Sequence, residues 1–195
     1  MQKPNLIGMV NFVSFVIEGA VLIGSAIWLM LPAYLPNNIA AIGGGGTPID
    51  FGKKWTDNKR IFGDGKTIRG FILGVFAGIL IGFCQIFAEN SGMVPWFFPH
   101  SIIAVITLAF GSLLGDMIKS FFKRRKGIER GGEWFLIDQY DFVIGALLLT
   151  LLCDPEWMIN TMNFSLLITI LVITPLLHRT VNIIGYKMGL KKVPW

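Results

Sequence analysis

Gly115–Asp141, GDMIKSFFKRRKGIERGGEWFLIDQYD, gathers acids and cations between two strongly apolar runs. If the run before it is a helix that continues through Phe122, Asp116, Ser120 and Lys123 fall at i, i+4 and i+7 and share one face. An acid, a hydroxyl and a cation then point the same way. Asp138 and Asp141 stand at i and i+3 at the start of the next run, so their carboxylates lie side by side. Two adjacent carboxylates suit a Mg²⁺ ion shared with a phosphate substrate, because Mg²⁺ keeps several waters and takes only one or two protein acids. Lys119, Lys123, Arg124, Arg125, Lys126 and Arg130 supply positive charge for phosphates. The stretch reads as a centre for phosphoryl or nucleotidyl transfer at a membrane edge.

It also fixes how the chain crosses that membrane. The apolar residues 142–153 make only about 18 Å of helix before Asp154-Pro155, against a hydrocarbon core of about 30 Å. Extending the run back to Trp134 gives a sufficient length and draws Asp138 and Asp141 into the span, where acids need a cation partner. Outward from there, the 195 residues are 53% hydrophobic with a mean hydropathy of +0.64. Apolar runs at 9–34, 68–87, 101–122, 134–153 and 164–184 predict an all-α integral membrane protein, one polytopic domain of five transmembrane helices, and exclude a soluble globule. The first run is too long for a signal-peptide core and no small-residue cleavage site follows it, so it reads as a permanent span. Cys84 and Cys153, each inside an apolar run, read as small buried hydrophobes, with no disulfide framework or zinc site.

Charge placement orients the spans. Of seventeen Lys and Arg, only Lys3 lies outside three segments: 53–69, the end of the third span with the loop after it (119–130), and 179–192. The two remaining loops carry Glu89, Asp154 and Glu156 and no cation. The positive-inside rule then puts the N-terminus outside, with the two long loops and the C-terminus in the cytoplasm. The reaction centre faces the cytoplasm on this reading.

Several other residues bear on function. Glu18 sits inside the first span, which ends at Pro32 and Pro36; a hydrogen bond to a neighbouring helix, for instance at Gln85, accounts for it, as does a functional role. The first loop opens with the flexible run Gly43–Gly46 and ends in GDGKTIRG. It lacks the first glycine and the preceding strand of a P-loop. Gly63 and Gly65 nevertheless let the backbone approach a ligand, and Lys66, Thr67 and Arg69 stand where a helix begins, a place that holds phosphate. Alternatively Thr67 caps that helix while Lys66 and Arg69 snorkel. Gly70, Gly74, Gly78 and Gly82 form a small-residue stripe that permits either a close contact within the chain or a homodimer. Arg179 either joins the site or snorkels, and His100 receives no role.

The pattern GD-xxx-S-xx-KR followed by D-Q-x-D resembles the signature of the CTP-dependent phosphatidate cytidylyltransferase superfamily. With the first-loop pattern TPIDFGKKW…RIFGDGKTIRGF, the chain is most similar to its short archaeal branch, the CDP-archaeol synthases. The resemblance implies transfer of CMP from CTP to unsaturated archaetidic acid, a glycerol phosphate with two geranylgeranyl ethers, releasing pyrophosphate. It implies CTP, an anionic isoprenoid lipid and the cell membrane as partners, and no nucleic-acid polymer. By position it implies Asp138, Asp141 and Asp116 for Mg²⁺, and Lys66, Thr67, Arg69, Lys123 and Arg124 for the phosphates. It also implies Ser120 as a hydrogen-bond donor to a phosphate oxygen. Unlike the bacterial pattern, the chain has Glu129-Arg130 in place of Lys-Asp and lacks a PGxGG run, leaving Glu129 and Glu133 as the acids of that segment. Two rivals are a CDP-alcohol phosphatidyltransferase, whose final acids are spaced differently, and a small ion-coupled transporter, whose acids cluster near the midplane.

Overall fold

The computed structural model describes residues 6–94, 98–191 and 193; Lys3 and Lys192 lie outside them. Among the described residues the helices are α1 (Leu6–Gly43), α2 (Ile68–Asn90), α3 (Ile102–Arg125), α4 (Ile137–Cys153), α5 (Pro155–Thr161) and α6 (Phe164–Lys187), with isolated bridges but no strand. Four helices are long and apolar enough to cross a membrane, and five spans result if α4 and α5, bent by 118° at Asp154, count as one. Side chains at four helix starts meet free amides: Thr67 for α2, Ser101 for α3, Asp154 for α5 and Asn163 for α6.

Two boundaries differ from the sequence expectation. Helix α1 does not end at Pro32 and Pro36 but runs on to Gly43. A proline inside a helix deprives the carbonyl four residues earlier of its donor. Here Gln85 Nε2 donates to Trp28 O at 2.7 Å, replacing the N–H that Pro32 lacks. The same device recurs at Pro175 in α6, where the Tyr140 hydroxyl donates to Leu171 O at 2.9 Å. Helix α4 starts at Ile137, not Trp134, because Leu136 adopts φ 66° and turns the chain immediately before it. Asp138 and Asp141 still fall in the opening turns of the helix.

Three side-chain expectations are also corrected. Gln85 is spent on Trp28, so it is no partner for Glu18, which is exposed on α1. Cys84 and Cys153 are free and exposed instead of buried. In a membrane protein the outside of the bundle is apolar as well, so an apolar run does not say which side chains face inward; Phe15, Phe76, Phe87 and Leu152 are likewise exposed.

Inside the bundle, Leu29 and Met30 of α1, Leu108 of α3, Val143 and Ala146 of α4, and Leu166 and Ile170 of α6 are fully buried in one core. The glycine stripe of α2 faces inward. A Cβ on Gly78 would stand 2.6 Å from Pro32 O, and one on Gly82 would stand 2.3 Å from Val105. That stripe is spent on α1 and α3, so a homodimer would have to form on another face. Helices α3 and α4 approach still closer: a Cβ on Gly115 would lie 2.1 Å from Asp141 O, and one on Gly145 2.5 Å from Gly111 O. This glycine crossing sets Asp116, one residue past Gly115, against Asp141 on the facing helix.

Candidate active site

The crossing of α3 and α4 assembles the carboxylates that the sequence singled out. Lys119, one turn beyond Asp116, lies at their centre, with its Nζ 3.0 Å from Asp116 Oδ1, 3.2 Å from Asp138 Oδ1 and 2.8 Å from Asp141 Oδ2. Lys123 Nζ donates to both oxygens of Asp138 at 2.9 Å, and Lys66 from the first loop pairs with Asp116. Three carboxylates and three ammonium groups therefore form one continuous cluster. Sequence reading treated Lys119 as one more phosphate cation; its i,i+3 spacing from Asp116 was the signal that it shares the acids' face.

The cluster is not saturated. The Asp141 side chain is buried, and beyond the Lys119 ion pair its oxygens have no hydrogen-bond partner of good geometry. A buried carboxylate with unused lone pairs, beside two others aimed at the same point, provides the oxygen donors that a hard dication takes. The three aspartates thus fit Mg²⁺, although Lys119 holds the central position and no ready-made group of three acid, histidine or cysteine ligands occurs among the described residues.

On one side of the cluster lies a cavity of about 150 Å³ lined by Lys66, Lys119, Ser120, Lys123, Arg124 and Arg130 together with the backbone of 62–65. The consecutive cations at the end of α3 separate because neighbouring helix positions point about 100° apart. Lys123 turns to Asp138, and Arg124 turns to the cavity beside Gly63, where its buried Nε has no hydrogen-bond partner. Arg125 does not face the cavity, contrary to the sequence expectation. It ties the first loop to α3 through Asp57 at 3.0 Å and the carbonyls of Ile61, Lys59 and Arg60. Lys126 lies over the Trp134 ring.

The first loop is held by a residue that the sequence reading did not single out. Asp50 is buried and accepts from the amides of Gly52, Phe62 and Gly63 and from Arg60 at 3.2 and 2.6 Å. Burial works against its ionisation, but Arg60 and those amides outweigh burial and hold its carboxyl well below the usual carboxylate range. With Asp50 as the hub, the chain turns through Gly63 at φ 88°, a conformation that glycine adopts without a Cβ clash, and delivers Lys66 to Asp116.

Not every candidate joins the site. Thr67 Oγ1 accepts from the amides of Gly45 and Gly70, both at 3.2 Å, and does not line the basic cavity. Arg69 is exposed and lines neither that cavity nor the acid cluster. Arg179 and Glu133 border a separate hollow that reaches Asp138, while Glu129 is exposed.

Helices of membrane-spanning length around a buried lysine–aspartate cluster define an intramembrane enzyme that handles phosphates. A family model described as CarS-like, CDP-archaeol synthase, matches residues 20–195. The chain is 76% identical to a CDP-archaeol synthase of Methanospirillum hungatei JF-1 over 166 residues, 85% of this chain and 100% of the relative. It is 52% identical to one of Methanoculleus marisnigri over the same shares of both chains. A solved structure, described as an intramembrane enzyme for archaeal membrane lipids biosynthesis, superposes with a TM-score of 0.66 at 38% identity, covering 81% of this chain and 92% of that one. The chain belongs to the CDP-archaeol synthase family. Membership sets aside the phosphatidyltransferase and transporter readings.

Proposed function

We propose that this chain transfers CMP from CTP to unsaturated archaetidic acid, releasing pyrophosphate and giving CDP-archaeol, the product for which its relatives are named. The observation that carries the assignment of roles is the convergence of Asp116, Asp138 and Asp141 on one cation position beside a cavity lined by five cations. The lipid phosphate, already anionic near neutral pH, attacks the α-phosphorus of CTP, and pyrophosphate leaves. No side-chain nucleophile is needed, so the protein's task is positioning and charge neutralisation.

In this reading Arg124 binds the triphosphate with Lys66, Lys123 and Arg130, and Ser120 donates a hydrogen bond within the same cavity. Asp116, Asp138 and Asp141 would hold Mg²⁺, which would neutralise phosphate charge. Lys119 keeps the three acids together and supplies a cation to the departing phosphates. Thr67 acts indirectly, by capping α2 and fixing Lys66. The basic first loop, the end of α3 and Lys191 meet at one end of the bundle, which supports a cell-membrane protein with this site and the C-terminus cytoplasmic and the N-terminus outside.

The test is pyrophosphate release from CTP by the purified protein, with and without the diether glycerol phosphate. Release that requires the lipid and stops on adding EDTA is the expected result. CTP left intact with authentic lipid would overturn the reading, and release insensitive to EDTA would remove Mg²⁺ from it.

A further inference from the structure

A second cavity contains the acid cluster and adjoins the basic one, sharing Lys66, Lys119, Lys123 and Gly131 with it. Beyond Gly185 the chain turns through Gly189 at φ 72° and folds back, with the amides of Leu190 and Lys191 donating to Gly185 O at 2.9 and 3.1 Å. This fold-back inserts Lys191 between α1 and α6. Its Nζ donates to Asn38 Oδ1 at 3.1 Å and to Asn182 Oδ1. Both acceptors are neutral amides. Among the described residues Lys191 makes no ion pair, whereas Lys66, Lys119 and Lys123 each meet a carboxylate. A half-buried ammonium without a counter-ion is costly unless an anion arrives.

Lys191 also stands at a junction. It borders the cavity that contains Asp116, Asp138 and Asp141, and it closes one end of an apolar groove of about 310 Å³ between α1 and α6. Ile27, Leu31 and Leu35 of α1 and Leu177 and Val181 of α6 line that groove at i,i+4 spacing, so one stripe of each helix faces it. The groove and the acid cavity share Asn37, Phe142, His178 and Lys191. An occupant with a hydrocarbon tail along the stripe and an anionic head at Lys191 would therefore reach the aspartates from the membrane. The basic cavity, which neither Lys191 nor the groove residues line, stays clear for a nucleotide.

We propose that Lys191, held by Asn38 and Asn182, binds the phosphate of the lipid acceptor while a segment of its hydrocarbon chain lies in the α1–α6 groove. This assignment rests on the cytidylyltransferase reading and extends it to the second substrate. Arg124 and Lys191 then divide the work, Arg124 on the nucleotide and Lys191 on the lipid.

The experiment is steady-state transfer in detergent mixed micelles, varying the mole fraction of the diether glycerol phosphate at saturating CTP, and then CTP at saturating lipid. Lys191→Gln should raise KM for the lipid about tenfold or more and leave KM for CTP within about twofold; Lys191→Arg should recover most of the loss. An unchanged lipid KM, or equal rises in both, overturns the proposal. Calorimetric CTP binding reports whether the variant is folded. If Lys191→Gln fails that check, Leu177→Trp, which fills the groove away from the nucleotide, must give the same lipid-selective loss, and an unchanged lipid KM overturns the proposal. Absence of turnover by the unsubstituted protein with authentic lipid overturns this proposal and the parent reading together, whereas turnover with a normal lipid KM in the variants overturns this one alone.

Discussion

The two ends of the bundle each bury a network of charged and polar side chains, and the networks differ in completeness. At the end away from the basic loops, Glu89 accepts from Trp28 Nε1 at 2.7 Å, and His100 meets it through Nδ1 at 2.8 Å and through its backbone amide at 2.9 Å. The other ring nitrogen of His100 lies 3.3 Å from Leu29 O, and its ring stacks on Trp157. Both Glu89 oxygens and both His100 ring nitrogens are answered there, and the one open atom beside them, among the described residues, is Oε1 of Gln85. At the lysine–aspartate end, the Asp141 oxygens have no hydrogen-bond partner beyond the Lys119 ion pair, Arg124 keeps an unanswered Nε, and Lys191 makes no ion pair among the described residues. A closed network ties helices together; an open one holds capacity for ligands.

The largest effect expected from breaking this contrast is at Asp141. Asp141→Ala should lower kcat/KM by about a thousandfold or more while the protein stays folded in detergent, because one of three converging carboxylates is lost. Gly115→Ala should come next. Its methyl group would meet the Asp141 carbonyl and force α3 and α4 apart, costing about 1–3 kcal/mol of stability, visible as a lower thermal midpoint together with lost transfer. Arg124→Gln should raise KM for CTP on the order of tenfold with little change for the lipid, read from steady-state kinetics.

At the opposite end the sign of the outcome reverses. Glu89→Gln should cost about 1–3 kcal/mol in stability and leave the turnover of the folded fraction within about twofold. The smallest effect concerns pH. The Asp50 carboxyl is depressed in the folded state, so its contribution is complete above the ordinary aspartate pKa of about 4 and is lost only as pH falls through its lower native value. The thermal penalty of Asp50→Asn should therefore be the same throughout about pH 5 to 8. A penalty that shrinks across that window would contradict the role of Asp50 as an ionised hub.

The sequence makes the open network easier to read than the closed one. Asp116, Asp138 and Asp141 are costly residues within apolar runs and announce themselves, and the helical spacing of Ser120 and Lys123 follows from a single element. Glu89 and His100 sit at a span end where polar residues are ordinary, so nothing local marks them as a pair. The extension of α1 past Pro32 is equally hidden, because the donor that makes it tolerable, Gln85, is 57 positions from the carbonyl it serves. The fates of Arg124 and Arg125 diverge through the docking of a loop more than sixty positions away, which the local charge run KRRK does not encode. Nothing local sets Lys191 apart from the other cations of 179–192, since its position depends on the turn at Gly189 and on Asn38, which is 153 positions distant.

The most direct measurement compares transfer rate and thermal midpoint in Asp141→Asn and Glu89→Gln side by side. The prediction is a crossed result. Asp141→Asn should lose transfer yet hold or raise its midpoint, because a buried, incompletely answered carboxylate is removed; Glu89→Gln should keep transfer in the folded fraction and lower its midpoint. If Asp141→Asn instead unfolds more readily while the remaining folded protein still transfers CMP at a normal rate, the cluster is a structural ion network and the open-site account fails.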